Sequence, residues 1–373
     1  MEKKTRKNSK NRNDKKPNEI YEGFEPLRSL DVNQVKNFDE MAQAMSQTSF
    51  GGRSLGEAVD VLSEMIMDPD CFVVGTFAGA MTPAKMGLLI CEMIDRGMLD
   101  AVISTGALIT HGLVENVGMT HFKYKHSMND RELYYKNFDR IYDTLELEKN
   151  LDDLELIVHK VFGKFNEKEI LSSRVICEEV GGYLAKNMKG RGILTSAFKK
   201  KIPVYIPAFS DSEFGLDFAL FNRQRAKKNK KALQYNPFLD LEHYADLILK
   251  QKKLGIFTIG GGVPRNWGQQ IGPYLDLIRF RVMEGPSSRK YMPTEGNKYY
   301  KRFYYGVRIC PEPVHWGGLS GCTYSEGVSW GKFVPEEDGG RFAEVLSDAT
   351  IAWPIILKAV IERIEKNKLK VKK

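Results

Sequence analysis

The sequence predicts an α/β protein, with a Rossmann-like parallel sheet flanked by helices in a single large domain. Short apolar runs rich in β-branched residues recur between turn-forming residues, as the buried strands of a parallel sheet do. The first two, at 71–75 and 101–104, are separated by a run with helical spacing, which is the pattern of two parallel strands joined by a crossover helix. The loops richest in glycine and acid follow such runs, where an open parallel sheet binds its ligands.

Residues 49–56 lead into a helix-like run through Met65. The stretch 71–75 then reads as a strand, and a small-residue loop covers 76–81. Thr82 is expected to cap a helix whose first position is Pro83. Met86, Leu89, Ile90, Met93 and Ile94 repeat at helical spacing before Gly97 stops that helix. Strand 101–104 ends in the turn Thr105-Gly106-Ala107. Residues 119–150, rich in tyrosine, aspartate and other charged groups, read as an insertion. Strand 203–207 enters the loop 208–217, and strand 255–259 enters 260–266, with a helix beginning near Asn266. Another strand spans 304–310, and the charge run 227–231 reads as a solvated face. Residues 346–350 precede Trp353, Pro354 and an amphipathic helix that runs into a basic tail. The expected organisation is a disordered basic tail over 1–20, one α/β domain over 21–365 and a second basic tail over 366–373.

At 373 residues and 42% hydrophobic composition, the chain can bury a sizeable core. Its net charge of +8 suggests a nucleic-acid partner until it is divided along the sequence. Residues 1–20 carry eight Lys/Arg against three Asp/Glu, and residues 363–373 carry six against one, so the body between them is slightly acidic. That balance suits a small polycation better than nucleic acid. The N-terminus lacks the apolar stretch of a secretory signal and no apolar run is long enough for a bilayer, so a soluble, cytoplasmic protein is expected, without a membrane partner. The five cysteines have neither CxxC spacing nor nearby histidine pairs; buried free thiols are expected, and no metal site.

The segment 318–332 carries the most chemical information. Its glycines and hydroxyl residues argue for an extended or looped backbone, in which Trp330 and Lys332 would point the same way. Partial burial beside an apolar ring would lower the lysine pKa and leave an amine able to form an imine. Glu326, Asp211 and Asp217 supply carboxylates for ammonium groups, and Trp316, beside His315, and Trp330 supply indole faces for cation–π contact. His111 follows the 104–106 turn, where an imidazole could move protons or serve a structural hydrogen bond. The glycines at 260–262 suit either close approach to a nucleotide phosphate or a plain tight turn.

These residues resemble the deoxyhypusine synthase family over roughly 48–362. The most specific match is Ser325-Glu326-Gly327-Val328-Ser329-Trp330-Gly331-Lys332, supported by 49–51, Ser104-Thr105-Gly106, Pro207-Ala208 with Asp211, Gly260-Gly261-Gly262-Val263 and Asp348-Ala349. The resemblance implies that NAD takes a hydride from spermidine, that diaminopropane leaves, and that an aminobutyl imine passes to the active-site lysine and then to an acceptor amine. It implies Lys332 as the nucleophile, Glu326 and Trp330 along the polyamine channel, and Thr105, Gly106, Asp211, Gly261, Gly262, Asp348 and Ala349 at NAD. It further implies a homotetramer with active sites between paired subunits. The chain departs from synthases that act on the hypusine-containing translation factor. It has Ile109-Thr110-His111 where they carry acids, Gly79-Ala80 where a Ser-Asn pair is expected, and Asn266 at their histidine. Asp217 is displaced by one residue, and His315-Trp316-Gly317-Gly318 replaces an acidic stretch. The pattern resembles a bacterial deoxyhypusine-synthase-like branch, similar to homospermidine synthases, whose acceptor need not be a protein. A free diamine such as putrescine, giving homospermidine, is a natural acceptor for the same chemistry; modification of a translation-factor lysine and a catalytically silent NAD- or polyamine-binding regulator are the alternatives.

Overall fold

The computed structural model describes residues 24–285, 297–367 and 371. The basic tail expected over 1–20 lies outside the described residues, as does most of 366–373.

Six parallel strands form the central sheet: β1 (Cys71–Phe77), β2 (Ala101–Ser104), β7 (Val204–Tyr205), β9 (Lys253–Ile259), β10 (Phe303–Ile309) and β11 (Arg341–Val345). Their order is β11-β10-β9-β1-β2-β7. Both faces are covered, which is why the strands read as continuous apolar runs. Along β1 the residues alternate between two cores: Cys71, Val73 and Phe77 enter one, and Phe72 and Val74 the other. From β1 the chain builds outward to β2 and β7; from β9 it builds the opposite way to β10 and β11. The order therefore reverses between β1 and β9, and such a switch point opens a crevice at the carboxyl ends of the strands.

The helices on the first face include α1 (Phe38–Ser46), α2 (Phe50–Met67), α3 (Gly87–Asp95) and α14 (Ala349–Lys366), whose Trp353 is fully buried against Phe77 and Phe257 with ring centroids 5.7 and 6.1 Å away. Arg363 of α14 ties these helices together, pairing with the buried Asp39 of α1 at 2.7 Å and with Asp60 of α2 at 2.6 Å. After α4 (Gly106–Asn116), residues 119–150 form a separate three-stranded antiparallel sheet of β3 (Phe122–Lys123), β4 (Phe138–Ile141) and β5 (Thr144–Leu147), with α5 (Asp130–Tyr135) in between. The chain then runs through α6 (Glu148–Phe162), β6 (Ile170–Leu171), α7 (Ser173–Asn187) and α8 (Ile193–Lys200) to β7, and through α9 (Glu213–Lys227), β8 (Gln234–Tyr235) and α10 (Phe238–Leu249) to β9. On the second face, α10, α11 (Gly262–Gln269), α12 (Ile271–Leu277) and α13 (Tyr324–Ser329) bring Tyr244, Trp267, Ile271 and Tyr324 against the sheet.

Four local expectations are corrected. Thr82 does not cap a helix: its hydroxyl is buried and donates to the Leu108 carbonyl at 2.8 Å, so 81–85 turns and α3 starts only at Gly87. The helix expected near Asn266 begins at Gly262, directly after the glycine turn. Ser212 caps α9, so the 208–217 loop is shorter than expected and Asp217 is helical. The 318–332 segment is not extended, because Thr323 caps α13 within it. Four of the five cysteines are buried free thiols, and Cys322 is partly exposed.

Removing the indole that joins α14 to the sheet leaves a large void between α14 and the face of β1 and β9. Trp353→Ala is expected to lower stability by about 3–5 kcal/mol, read as a lower urea midpoint, whereas Trp353→Phe keeps most of the packing and should cost much less.

Candidate active site

A cleft of about 670 Å³ opens at the carboxyl ends of β1, β2 and β7, lined in part by Gly79, Ala80, Thr105, His111, Asp211 and Glu213. Two helices begin at its wall. Thr105 caps α4, accepting from Leu108 N at 3.3 Å, and Ser212 caps α9, accepting from Gly215 N at 3.2 Å. A Cβ on Gly106 would stand 2.1 Å from Ser212 Oγ, so the glycine lets these two N-termini meet. Helix N-termini favour anionic groups. Beside the cleft, the β9 turn has Gly260 at φ +76° and Gly262 at φ +60°, with open space at the Gly262 Cα, while a Cβ on Gly261 would press to 2.7 Å from Ser320 Cβ. Both left-handed positions suit glycine.

His111 projects from α4 to the cleft wall, with its Nδ1 2.6 Å from Glu146 Oε2 on β5. His121 brings Nε2 within 3.5 Å of the same oxygen, and its Nδ1 lies 2.8 Å from Lys85 Nζ, which pairs with Glu115 at 2.8 Å. Burial works against charging His111, but the Glu146 hydrogen bond and charge outweigh it and raise the pKa above the usual 6.5. Burial likewise pushes Glu146 up, yet the two histidines prevail and hold its carboxyl at about 2. His111, His121 and Glu146 are also near enough to one another to be weighed as metal ligands.

Lys332 is carried by a different segment of the chain, the one that follows α13. After α13 the chain turns through Gly331 at φ +67°, and the backbone of Lys332 is pinned by its N–H to Gly327 O and by its carbonyl to Phe303 N at the start of β10, both at 3.0 Å. Its half-buried side chain extends to α11, donating from Nζ to Asn266 Oδ1 at 3.1 Å. Burial lowers its pKa, and the nearby Arg265 charge lowers it further, against the weaker opposing pull of Cys322 and Glu326. Arg265 is buried and donates to the carbonyls of Ser320 and Cys322 at 3.1 and 2.6 Å. Arg308 donates to the same two oxygens at 2.7 and 2.6 Å and pairs with Glu344 at 2.9 Å.

The residues singled out in the sequence fall into separate groups. Thr105, His111 and Asp211 line the cleft, with Gly106 beside them, and Lys332 meets Asn266. Lys332 itself is not among the side chains lining that cleft in a single chain. Glu326 lies exposed on α13, and Trp330, two-thirds exposed, ends that helix, so the parallel alignment of Trp330 with Lys332 that an extended strand would give does not occur. His315 and Trp316 lie exposed on the loop after β10. Asp217 turns toward α6: its carbonyl accepts from His159 Nε2 at 3.0 Å, and burial, helped by Glu155 and Glu213, pushes its carboxyl up to about 7. Asp348 caps α14, accepting from Thr350 N at 2.7 Å, and with Ala349 follows β11, at the opposite edge of the sheet from β7.

The deoxyhypusine synthase family model matches residues 40–360. A protein of Archaeoglobus fulgidus named probable deoxyhypusine synthase 2 is 31% identical over 318 residues, covering 85% of this chain and 96% of its own. A deoxyhypusine synthase-like protein of Chlorobaculum parvum is 30% identical over 338 residues, covering 89% and 88%. The chain belongs to the deoxyhypusine synthase family. Its fold is that of a putative deoxyhypusine synthase crystal structure from Entamoeba histolytica, with a TM-score of 0.56 at 14% identity over 93% of this chain and 98% of that one. Membership makes the protein a member of a family of transferases, as the 325–332 resemblance implies. Among the described residues, no helix is long and apolar enough to cross a membrane.

Several side chains of this family member were not found from sequence: Glu146, His121, Glu213, Arg265 and Arg308. Glu146 stands 35 residues from His111 in a charged insertion, and no short-range spacing links the two. The arginine clamp predicts a local response. Arg308→Met removes two carbonyl bonds and one ion pair, a loss of roughly 3 kcal/mol. Amide exchange at Cys322 and Tyr324 is then expected to quicken about 100-fold, with exchange in β1 little changed.

Proposed function

We propose that this protein moves the aminobutyl group of spermidine to an acceptor amine through an imine on Lys332, with NAD as hydride carrier and putrescine as the acceptor. The observation that carries this reading is a half-buried lysine whose pKa is lowered by burial and by Arg265, at the end of the Ser325–Lys332 match to the family. An amine nucleophile must be neutral, and a neighbouring cation with partial desolvation favours that form.

The residues present suit a dinucleotide: the cleft is of ligand size, two helix N-termini meet at its wall, and the glycine turn beside it leaves Gly262 exposed. On this reading Thr105, Gly106, Gly261 and Gly262 approach phosphates, and Asp211 takes hydroxyl groups. Asp348 and Ala349, at the far edge of the sheet, join the same site as the family resemblance implies. Held there, NAD would supply the acceptor for a hydride from the carbon beside the secondary amine of spermidine and the donor that reduces the final imine. Lys332 Nζ forms a bond to the oxidised carbon as the bond to the diaminopropane nitrogen breaks, and diaminopropane departs with a proton. The acceptor amine then displaces Lys332 from the same carbon, so the lysine ends unmodified and no net oxidation remains. Asn266 orients the lysine through its Oδ1, while Glu213 gives the cleft a carboxylate for ammonium groups. Trp330, Glu326, Trp316 and His315 are exposed in one chain and suit a channel wall that pairing of subunits in a homotetramer completes, the same pairing that brings Lys332 to a cleft.

Incubation with spermidine, NAD and putrescine is expected to release diaminopropane and form homospermidine, and borohydride should trap a four-carbon adduct on Lys332. Lys332→Ala should lose both products. Absence of diaminopropane and of adduct would remove this reading, and label from spermidine appearing only on a protein band would replace putrescine with a protein lysine as acceptor.

A further inference from the structure

Glu146 is fully buried in an insertion that the chemistry at Lys332 does not use, yet its carboxylate is hydrogen-bonded by His111 at 2.6 Å and approached by His121 Nε2 at 3.5 Å. The Lys85 ammonium can only donate, so His121 Nδ1, 2.8 Å away, must accept. A neutral His121 therefore carries its proton on Nε2, which faces Glu146 Oε2. At 2.6 Å, His111 Nδ1 and the ionised Glu146 share a proton that belongs to the imidazole. That leaves His111 Nε2, the other ring nitrogen, as the free lone pair on a side chain lining the cleft.

Three groups within 4.8 Å of one another could instead converge on a metal ion. The hydrogen bonds argue otherwise. Metal at His121 Nε2 would need a proton on Nδ1, in conflict with Lys85, and a 2.6 Å contact is closer than two ligands of one ion normally stand.

We propose that Glu146 is a positioning residue that fixes His111 as the Nδ1–H tautomer and makes its Nε2 the proton acceptor of the cleft. This deepens the aminobutyl-transfer reading and rests on it: a substrate ammonium gives its proton to Nε2, its nitrogen regains a lone pair, and the imidazolium later returns the proton to the departing diamine. Glu146 stays ionised throughout. The charged groups facing His111 are Glu146 on β5, Asp139 on β4 and Glu213 on α9, all acidic, with the Lys85–Glu115 pair behind His121. A carboxylate that orients an imidazole and stabilises its cation is a recurrent device for proton transfer.

The test combines NMR of histidine-labelled protein, kept free of metal by EDTA, with steady-state kinetics on the intact oligomer. In the wild type, neutral His111 is expected to show a protonated Nδ1 and a bare Nε2, and to titrate above 6.5. Glu146→Gln should lower that midpoint, move the acidic limb of the pH–rate profile down with it, and reduce kcat about 100-fold with KM within about twofold. Glu146→Asp, which keeps the charge, should recover part of the rate. Neutral His111 protonated on Nε2 in the wild type overturns the proposal, as does an unchanged midpoint and kcat in Glu146→Gln. Once the EDTA is dialysed away, stoichiometric uptake of added Zn²⁺ that abolishes the His111 signal and is lost in Glu146→Gln overturns it in favour of a metal site. The tautomer and midpoint need no turnover, so failure to trap Lys332 would remove the transfer reading while His111 and Glu146 are still judged by NMR.

Discussion

Two guanidinium groups, Arg265 and Arg308, converge on the same two backbone carbonyls, and the geometry of the 318–332 segment depends on that meeting. Packing two like charges side by side is unfavourable, and burial already works against the charge on Arg265. The arrangement holds because Ser320 and Cys322 have carbonyls free to accept, Glu344 neutralises Arg308, and the Arg265 guanidinium lies 5.5 Å over the Tyr324 ring. Glu344 also accepts from Tyr324 N, so the same ion pair anchors the first turn of α13. One consequence is structural: α13 and Lys332 are fixed to β10. The other is electrostatic, because a buried cation that must stay charged lies near the lysine that needs to be neutral.

The sheet sets the second constraint. Its order reverses between β1 and β9, so the loop after β1 and the glycine turn after β9 lie together, with the starts of α4 and α9 along the neighbouring strands. The insertion adds what the parallel sheet cannot: from β5 it brings a buried carboxylate to the outer side of His111. The cleft and the lysine of lowered pKa are thus built on separate loops of one sheet, and a buried carboxylate–histidine network reaches the cleft wall from a second sheet.

Much of this was legible in the sequence where one physical signal was unopposed. The strands β1, β2, β9 and β10 were predicted within about two residues, because parallel strands buried on both faces must be apolar throughout. The Thr105 turn and the depressed pKa of Lys332 were also foreseen, though the lysine owes the shift to burial and Arg265 rather than to an aligned indole. Failures came where two signals competed. Glycine content masks the Thr323-x-x-Glu326 pattern, a helix-start signature, so the extended or looped backbone expected over 318–332 gives way to α13 in its middle. Thr82 before Pro83 looked like a cap, but a buried hydroxyl already bonded to Leu108 cannot serve a helix end. Ser212 took the capping position in the 208–217 loop and carried Asp217 into a helix. The His111, Glu146, His121 and Lys85 network spans four separate segments, and only the folded chain brings them together.

The central claim is that the folded chain holds the Lys332 amine neutral more readily than an ordinary lysine. It is tested most directly by the pH dependence of its reductive trapping with a small aldehyde, read by mass spectrometry of the Lys332 peptide against exposed lysines of the same digest. Only the unprotonated amine reacts, so the rate climbs with pH and levels off above the folded pKa. A midpoint clearly below 10.5, returning to the ordinary value when the protein is unfolded in urea, is the predicted result. A folded midpoint at or above 10.5 would contradict the account.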